Sequence, residues 1–352
     1  MSNVIAPSSE LWDAFVRAHP RGHLLQLSTW GRHKRAFGWT DACVGVTDSA
    51  GALAGGALLL FRPLPMRLGT MAYLPMGPLV REPGVEAALW KAVHAEARRH
   101  RAAFLKWEPG LFDKDAPQPG ALGFHESEQT IQPPRTVLID IKGEEEAILG
   151  RMNQGTRRKI RQSLKGEVRY WEASAGEIDL FNSLMHTTGA RNQFGVHSAE
   201  YYRLAYELFV PGDAALILAE HEGEPLAGIM VFAVGKTAWY LYGASSSVKR
   251  NLMASYGVQW RAIQWARARG CTTYDMWGIP DAEPAQLEAE FETRSDGLWG
   301  VYGFKRGWGG AIVRSLGAWD KVYNPLVYRA YETAVKLRER RHRADRESRT
   351  ME

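Results

Sequence analysis

Apolar and polar positions along the chain fall into two similar series. The first runs through ACVGVTDSAGALAGGALLLF, MAYLPMGPLV and ALWKAVHAEARRHRAAFLKWEP. The second runs through ALILAEHEGEPLAGIMVFAV, WYLYGASSS and GVQWRAIQWARARGCTTYDMWGIP. Short apolar runs separated by turn residues predict, in each series, a strand, a turn and a strand opening on Leu-Ala-Gly (Leu53-Ala54-Gly55 and Leu226-Ala227-Gly228). An aromatic-bearing strand comes next, then an amphipathic helix, then a strand ending near proline. Trp90 and Trp107 are 17 positions apart, as are Trp260 and Trp277. Matching order together with matching spacing reads as two copies of one mixed unit. The expected fold class is α/β (α+β), with two tandem domains of mixed sheets flanked by helices.

Composition narrows the setting. A chain of 352 residues, 45% hydrophobic, can bury a large core, and its length favours more than one domain. The formal net charge of +5 fits an anionic partner. Two distant cysteines, Cys43 and Cys271, give no disulfide framework or cysteine metal site, and a reducing cytoplasm is the expected compartment. No charged segment followed by an apolar stretch marks a signal peptide. The longest apolar run, Ala52 to Phe61, is too short to span a bilayer, so any membrane contact is expected to be peripheral.

Two segments carry candidate chemistry. Between the repeats, Arg151, Arg157, Arg158, Lys159, Arg161, Lys165 and Arg169 face only one acid, Glu167. Helical spacing puts Ile160 and Leu164 on one face, with Gly166 as the expected stop. Most charge runs are solvated helix faces of mixed sign; the single sign here favours a helix bound to phosphates. Further on, YDMWGIP, an acidic helix-like interval and GLWGVYGFKRGWGG lead to GAWD. Its glycines predict a hinged strand or loop around Phe304, Lys305, Arg306 and Trp308. A cation between aromatic rings suits an anionic or developing-negative group; the plainer alternative is a buried hairpin with a snorkelling lysine. The tail from Tyr331 mixes both signs and reads as the solvated end of a last helix.

The repeat order resembles the acyltransferase pattern of the GNAT superfamily. The Gly-rich pyrophosphate loop that opens the helix in acetyl-CoA users is missing: SSVKRNLMASYG and REPGVEAALW stand in its place. The expected acyl donor is therefore not acetyl-CoA. Thr156 to Val168 (with Glu167 inserted), Tyr274 to Pro280, Gly300 to Gly310, Gly317 to Asp320 and Pro325 to Tyr328 resemble, in order, the motifs of the FemABX family. The resemblance spans nearly the full length and fits the compact type without a helical hairpin insertion.

That resemblance implies transfer of an amino acid (Gly, Ala or Ser) from aminoacyl-tRNA to the side-chain amine of a peptidoglycan stem peptide. The acceptor would be a UDP-MurNAc-peptide or its lipid-linked form, with no cofactor or metal. It implies a cytoplasmic enzyme, a monomer, with peripheral contact at the inner membrane face. Expected divisions are 1–138 for acceptor binding, 139–312 opening with the basic helix, and 313–352 returning to the first domain. By the same resemblance, Lys305 and Phe304 are catalytic, and Glu108, where the family commonly shows Asp, is a candidate base. Trp30, Lys34, Arg191, His197, Tyr201 and Tyr242 are acceptor candidates. His197 stands where the family has a cation, which Arg191 is expected to supply instead. Arg157, Arg158, Lys159, Arg161 and Lys165 are candidates for tRNA. An aminoacyl ester is already activated, so the amine needs only to lose its proton and attack while a cation steadies the oxyanion or the departing ribose oxygen. Two other readings compete: a GNAT-like acyltransferase using another donor on a polysaccharide or lipid precursor, and a non-catalytic RNA-binding protein.

Overall fold

A computed structural model describes residues 3–112, 119–165, 167–192 and 195–350, with only the backbone at 192 and 339–350. Gly166, the expected helix stop, lies outside the described residues.

The first sheet is built from β1 (Val4–Ile5), β2 (Thr40–Thr47), β3 (Leu53–Pro63), β4 (Thr70–Pro75), β5 (Leu79–Val80), β6 (Ala102–Glu108) and β7 (His125–Glu126). The second holds β8 (Arg135–Asp140), β9 (Arg169–Glu172), β10 (Ala214–His221), β11 (Glu224–Val234), β12 (Thr237–Ser245), β13 (Thr273–Asp275) and β14 (Ala311–Arg314). A last strand, β15 (Trp319–Val322), returns to the first sheet, which runs β1-β2-β3-β4-β6-β15-β7 with β5 on β3. The second runs β14-β8-β13-β12-β11-β10-β9.

The duplication is visible in strand sense. β2, β3 and β4 pair antiparallel and β6 joins β4 in parallel; β10, β11 and β12 pair antiparallel and β13 joins β12 in parallel. A parallel neighbour needs a crossover connection, and a helix supplies it in each copy. The helices, in chain order, are α1 (Ser9–Ala18), α2 (Ser28–Arg35), α3 (Glu86–Arg99), α4 (Glu145–Arg151), α5 (Gln154–Lys165), α6 (Ile178–Asn192), α7 (Ala199–Phe209), α8 (Ala254–Ala268), α9 (Pro284–Glu290), α10 (Trp299–Lys305) and α11 (Pro325–Thr350). The crossovers are α3, whose Leu89 and Val93 pack on Leu59 and Leu105, and α8, whose Val258 and Ile263 pack on Ile229 and Val231.

The tryptophan spacing hides a divergence. Trp90 and Trp107 meet edge to face at 4.7 Å in the first core. Trp260 is buried likewise, but Trp277 lies beyond the end of β13 in left-handed backbone (φ 59°) and lines a cleft. One apolar cluster joins the two halves: Trp12 of α1, Leu25 just before α2 and Trp30 of α2 pack with Phe181 of α6, Tyr202 of α7 and Phe232 of β11. The cleft opens along this seam. Behind it, Lys106 and Asp320 form a buried pair at 2.9 Å, and Tyr328 of α11 donates to Asp320, which ties the returning chain to β6.

Candidate active site

The glycine-rich block is helical. Trp299, Tyr302 and Lys305 recur every third position and form the buried face of α10, and a 3-10 turn carries the chain through Trp308. The glycines that read as a hinge serve close packing instead. A Cβ at Gly307 would stand 2.3 Å from the Thr156 hydroxyl, and one at Gly309 (φ 75°) would stand 2.1 Å from the Arg151 carbonyl. The block is thus pressed against the start of α5, so the basic helix and Lys305 are held as one piece.

Lys305 is 6% exposed, which excludes a snorkelling side chain. Its Nζ donates to the carbonyls of Trp277 (3.1 Å) and Gly278 (2.7 Å) and lies 5.4 Å from the centre of the Tyr240 ring. Phe304 and Trp308 do not flank it as the sequence reading had it; both pack on Tyr256, at 5.0 and 6.0 Å. Burial lowers the Lys305 pKa to about 7, opposed by the charge of Asp275. Asp275 is itself buried, and its pKa is raised to about 6 by that burial. Its carboxylate accepts from the Thr136 hydroxyl and from the Trp277 N–H at 2.7 Å. The second bond fixes the left-handed turn that aims two carbonyls at Lys305. Asp275 went unremarked in the sequence because, inside YDMWGIP, it reads as one more strand residue.

Two chambers meet at α10. The first, about 500 Å³, is lined by Trp30, Lys34, His197, Tyr201, Tyr242 and Lys305 among others. Trp30 and Lys34 lie one turn apart on α2. Lys34 donates to the Tyr201 hydroxyl at 2.9 Å and sits 4.9 Å over Trp30 and 5.0 Å over Tyr201. Tyr242 donates to the same hydroxyl at 3.3 Å. Burial, with the charge of Arg62 second, lowers the Lys34 pKa to about 8. His197 stacks on Tyr201 at 3.8 Å, and burial, then Lys34, brings its pKa to about 4. It is therefore a neutral platform at pH 7. Arg191 does not replace the missing cation in this chamber: its guanidinium donates to the carbonyls of Ser245 (3.0 Å) and Ser246 (3.3 Å) and lines the other chamber. Arg62, stacked over Trp39 at 5.4 Å, is the further cation near Lys34 and was not singled out from sequence.

The second chamber, about 400 Å³, is lined by Lys159, Arg191, Arg250, Tyr256 and Phe304 among others, and shares Tyr240, Gly243 and Val301 with the first. Lys159 reaches in from α5, with Nζ 3.1 Å from the Tyr256 hydroxyl. Arg157 turns back to the Met152 carbonyl at 2.6 Å. Arg158, Arg161 and Lys165 remain exposed on the outer face of α5. Leu164 is exposed with them, against expectation; the buried stripe of α5 is Thr156, Ile160 and Ser163.

Glu108 lies under the first chamber, 4% exposed, and is absent from its wall. Its carboxylate accepts from the Tyr73 hydroxyl and from the backbone N–H groups of Ile131 (2.5 Å) and Gln132 (3.1 Å), both of which line that wall. Burial raises its pKa, and these hydrogen bonds oppose the rise. A carboxylate with three donors and no opening is placed to hold the 131–132 loop, not to collect a proton. Nor does it pair with Lys106, which pairs with Asp320. Glu108→Gln is expected to raise the acceptor KM more than it lowers kcat; steady-state kinetics with kcat lost at constant KM would restore the base assignment.

Comparison with known proteins resolves the family. The FemAB family profile matches residues 8–118, 121–222 and 220–336. The chain belongs to the FemAB family. Among its FemAB relatives, the lipid II:glycine glycyltransferase of Staphylococcus saprophyticus is 26% identical over 91% of this chain and 93% of its own. The enzyme of the same name from Staphylococcus aureus is 28% identical over the same shares. Among solved structures, FemX superposes with a TM-score of 0.83 at 23% identity, covering 93% of this chain and 99% of its own. A tandem GNAT protein of clavulanic acid biosynthesis superposes with a TM-score of 0.52 at 14% identity, over 92% and 98%. The FemAB chain thus carries the expected fold of GNAT-like acyltransferases. Both of those relatives carry the name of a glycyltransferase acting on lipid II.

Proposed function

We propose that the protein transfers an amino acid from aminoacyl-tRNA to the side-chain amine of a peptidoglycan precursor, building an interpeptide bridge. The observation that carries this reading is the placement of consecutive residues on α10: Lys305 faces one chamber and Phe304 the other. In this reading residues 1–138 and the seam hold the acceptor, 139–312 hold the donor, and 313–352 close back on the first sheet. Lys34 and Arg62 are the cations for an acceptor diphosphate, with Trp30, Tyr201, Tyr242 and His197 as its wall. A terminal adenosine of tRNA enters the second chamber against Tyr256 and Phe304, where any base finds an aromatic face. Lys159, Arg191 and Arg250 meet its phosphates, and Arg158, Arg161 and Lys165 track the backbone outside.

The free amine attacks the ester carbonyl, a C–N bond forms, and the C–O bond to ribose breaks; the amine proton leaves to the ribose oxygen or to water. Two carbonyls occupy two N–H groups of Lys305, and the third proton of the ammonium is free to meet the developing oxyanion. The relatives named for lipid II favour a lipid-linked acceptor, and glycine is the first amino acid to test. Lys34→Ala is expected to raise the acceptor KM about tenfold or more, the scale of a charge-assisted contact, with kcat nearly kept.

The test is incubation with radiolabelled glycyl-, alanyl- and seryl-tRNA and with UDP-linked or lipid-linked muropeptide, with and without RNase. RNase-sensitive label on the stem peptide supports the reading. RNA binding without transfer would favour a binding protein, and transfer from a donor other than tRNA would favour a different acyltransferase.

A further inference from the structure

The most exposed large apolar side chains among the described residues are Met66 at 85% and Leu326 at 79%, and the chain beside each packs on one small cluster. Met66 stands at the tip of the β3–β4 hairpin, whose Leu64 packs on a small cluster of Met71, Phe104 and Tyr328; Val327, next to Leu326, packs on the same cluster. The tip is built to keep its apolar residues out. Met66 and Arg67 are consecutive non-glycine residues in left-handed backbone (φ 55° and 57°), an arrangement that side chains with a Cβ rarely adopt. The turn is closed beneath them by the Leu64 N–H on the Gly69 carbonyl at 2.9 Å and by the Thr70 N–H on the Arg101 carbonyl at 3.1 Å. Leu68 is 40% exposed beside them. The charged residues of the hairpin end are all cations: residues 62–69 read RPLPMRLG, and Arg62, Arg67 and the neighbouring Arg101 are exposed.

We propose that this tip, together with Leu326, docks on an anionic membrane surface and so sets the mouth of the acceptor chamber against the bilayer. Apolar residues on a strained turn with three arginines at or beside it match a headgroup boundary: the side chains enter it, and each guanidinium gains roughly fivefold in partition near anionic lipid. The location gives the contact a use. Arg62, at the end of β3, stacks over Trp39, and its charge is felt at Lys34 inside the chamber. A headgroup carried by a membrane lipid would therefore meet Lys34 and Arg62 without leaving the bilayer surface. No helix among the described residues is long and apolar enough to cross a membrane, so a surface contact of this kind is the available one among them. The inference rests on the lipid-linked form of the acceptor proposed above.

The full-length protein would be floated with vesicles of phosphatidylcholine alone and with vesicles that also contain phosphatidylglycerol. Wild type is expected to float with the second and not the first, and Met66→Asp/Leu326→Asp to lose about tenfold or more in partition. Both sites are exposed, and an unchanged melting curve would confirm that the variant folds. The variant should keep wild-type transfer to a soluble UDP-linked acceptor and lose transfer to a lipid-linked acceptor in vesicles. Equal flotation of variant and wild type would overturn the proposal, because the basic α5 face would then be the contact. Absence of flotation would also overturn it, as would a dimer that the variant abolishes without any vesicle binding. Normal flotation with no transfer from wild type to either acceptor would sink the proposed reaction and leave the docking surface standing.

Discussion

Lys305→Ala is expected to lower kcat by about 10²- to 10³-fold while the acceptor KM changes little, the usual result of deleting one preorganised oxyanion donor. The direction follows from the position of the amine. It is buried, bonded to two backbone carbonyls, and pinned there by a turn that Asp275 holds in place. Such a group has already lost its water before substrate arrives, so its interaction with a developing charge is not spent on reorganisation. The variant leaves two carbonyl oxygens facing the cleft, where water can meet them, so the fold should survive with a modest loss of stability. Kinetics on folded protein, checked by circular dichroism, would measure the effect. Turnover within about threefold of wild type would remove Lys305 from the chemistry.

Raising salt from about 50 to 200 mM is expected to weaken the donor KM by about 10³-fold if all six cations assigned to its phosphates make contact, with the acceptor KM much less affected. Arg158, Arg161 and Lys165 lie exposed on one face of α5, and Lys159 reaches from the same helix into the second chamber. These charges are screened over about a Debye length, while Lys305, already desolvated, is screened far less. Reversing Arg158, Arg161 and Lys165 to Glu should reproduce the high-salt phenotype at low salt without changing kcat. A donor KM flat across that range, or equal effects on both substrates, would take the polynucleotide off α5.

The fold was legible because its signals were local and repeated. Strand alternation, the two Leu-Ala-Gly openings and the two amphipathic helices α3 and α8 each announced themselves within a short window, and their order did the rest. The site was legible only where side chains lie one helical turn apart or carry an unmistakable charge. Trp30 and Lys34 share the face of α2, and the cations of α5 sit in one segment. What the chain hides are distant contacts. Glu108 was read as a base because a sequence cannot show that Tyr73, Ile131 and Gln132 already occupy its oxygens. Arg191 was given the charge beside Tyr201, yet its serine carbonyl partners draw it into the other chamber. The α10 block read as strand or loop because six glycines between 297 and 310 mask a threefold aromatic period. Their reason, the close approach of α5, is tertiary.

The most direct test of the account is the pH dependence of kcat/KM for the acceptor. An acceptor amine with a pKa near 10.4 gives a log–log slope of about one throughout the neutral range, as its free form accumulates. A charged Lys305 is lost as pH rises through about 7, which cancels that gain. The account therefore predicts a rise with slope about one below pH 7, a plateau from there to about 8, and a decline above it as Lys34 in turn loses its charge, with the break at 7 absent from the residual activity of Lys305→Ala. A wild-type slope that stays near one from pH 7 to about 8, or a steeper rise below 7, would contradict it, because the first requires a bystander and the second a neutral amine acting as base.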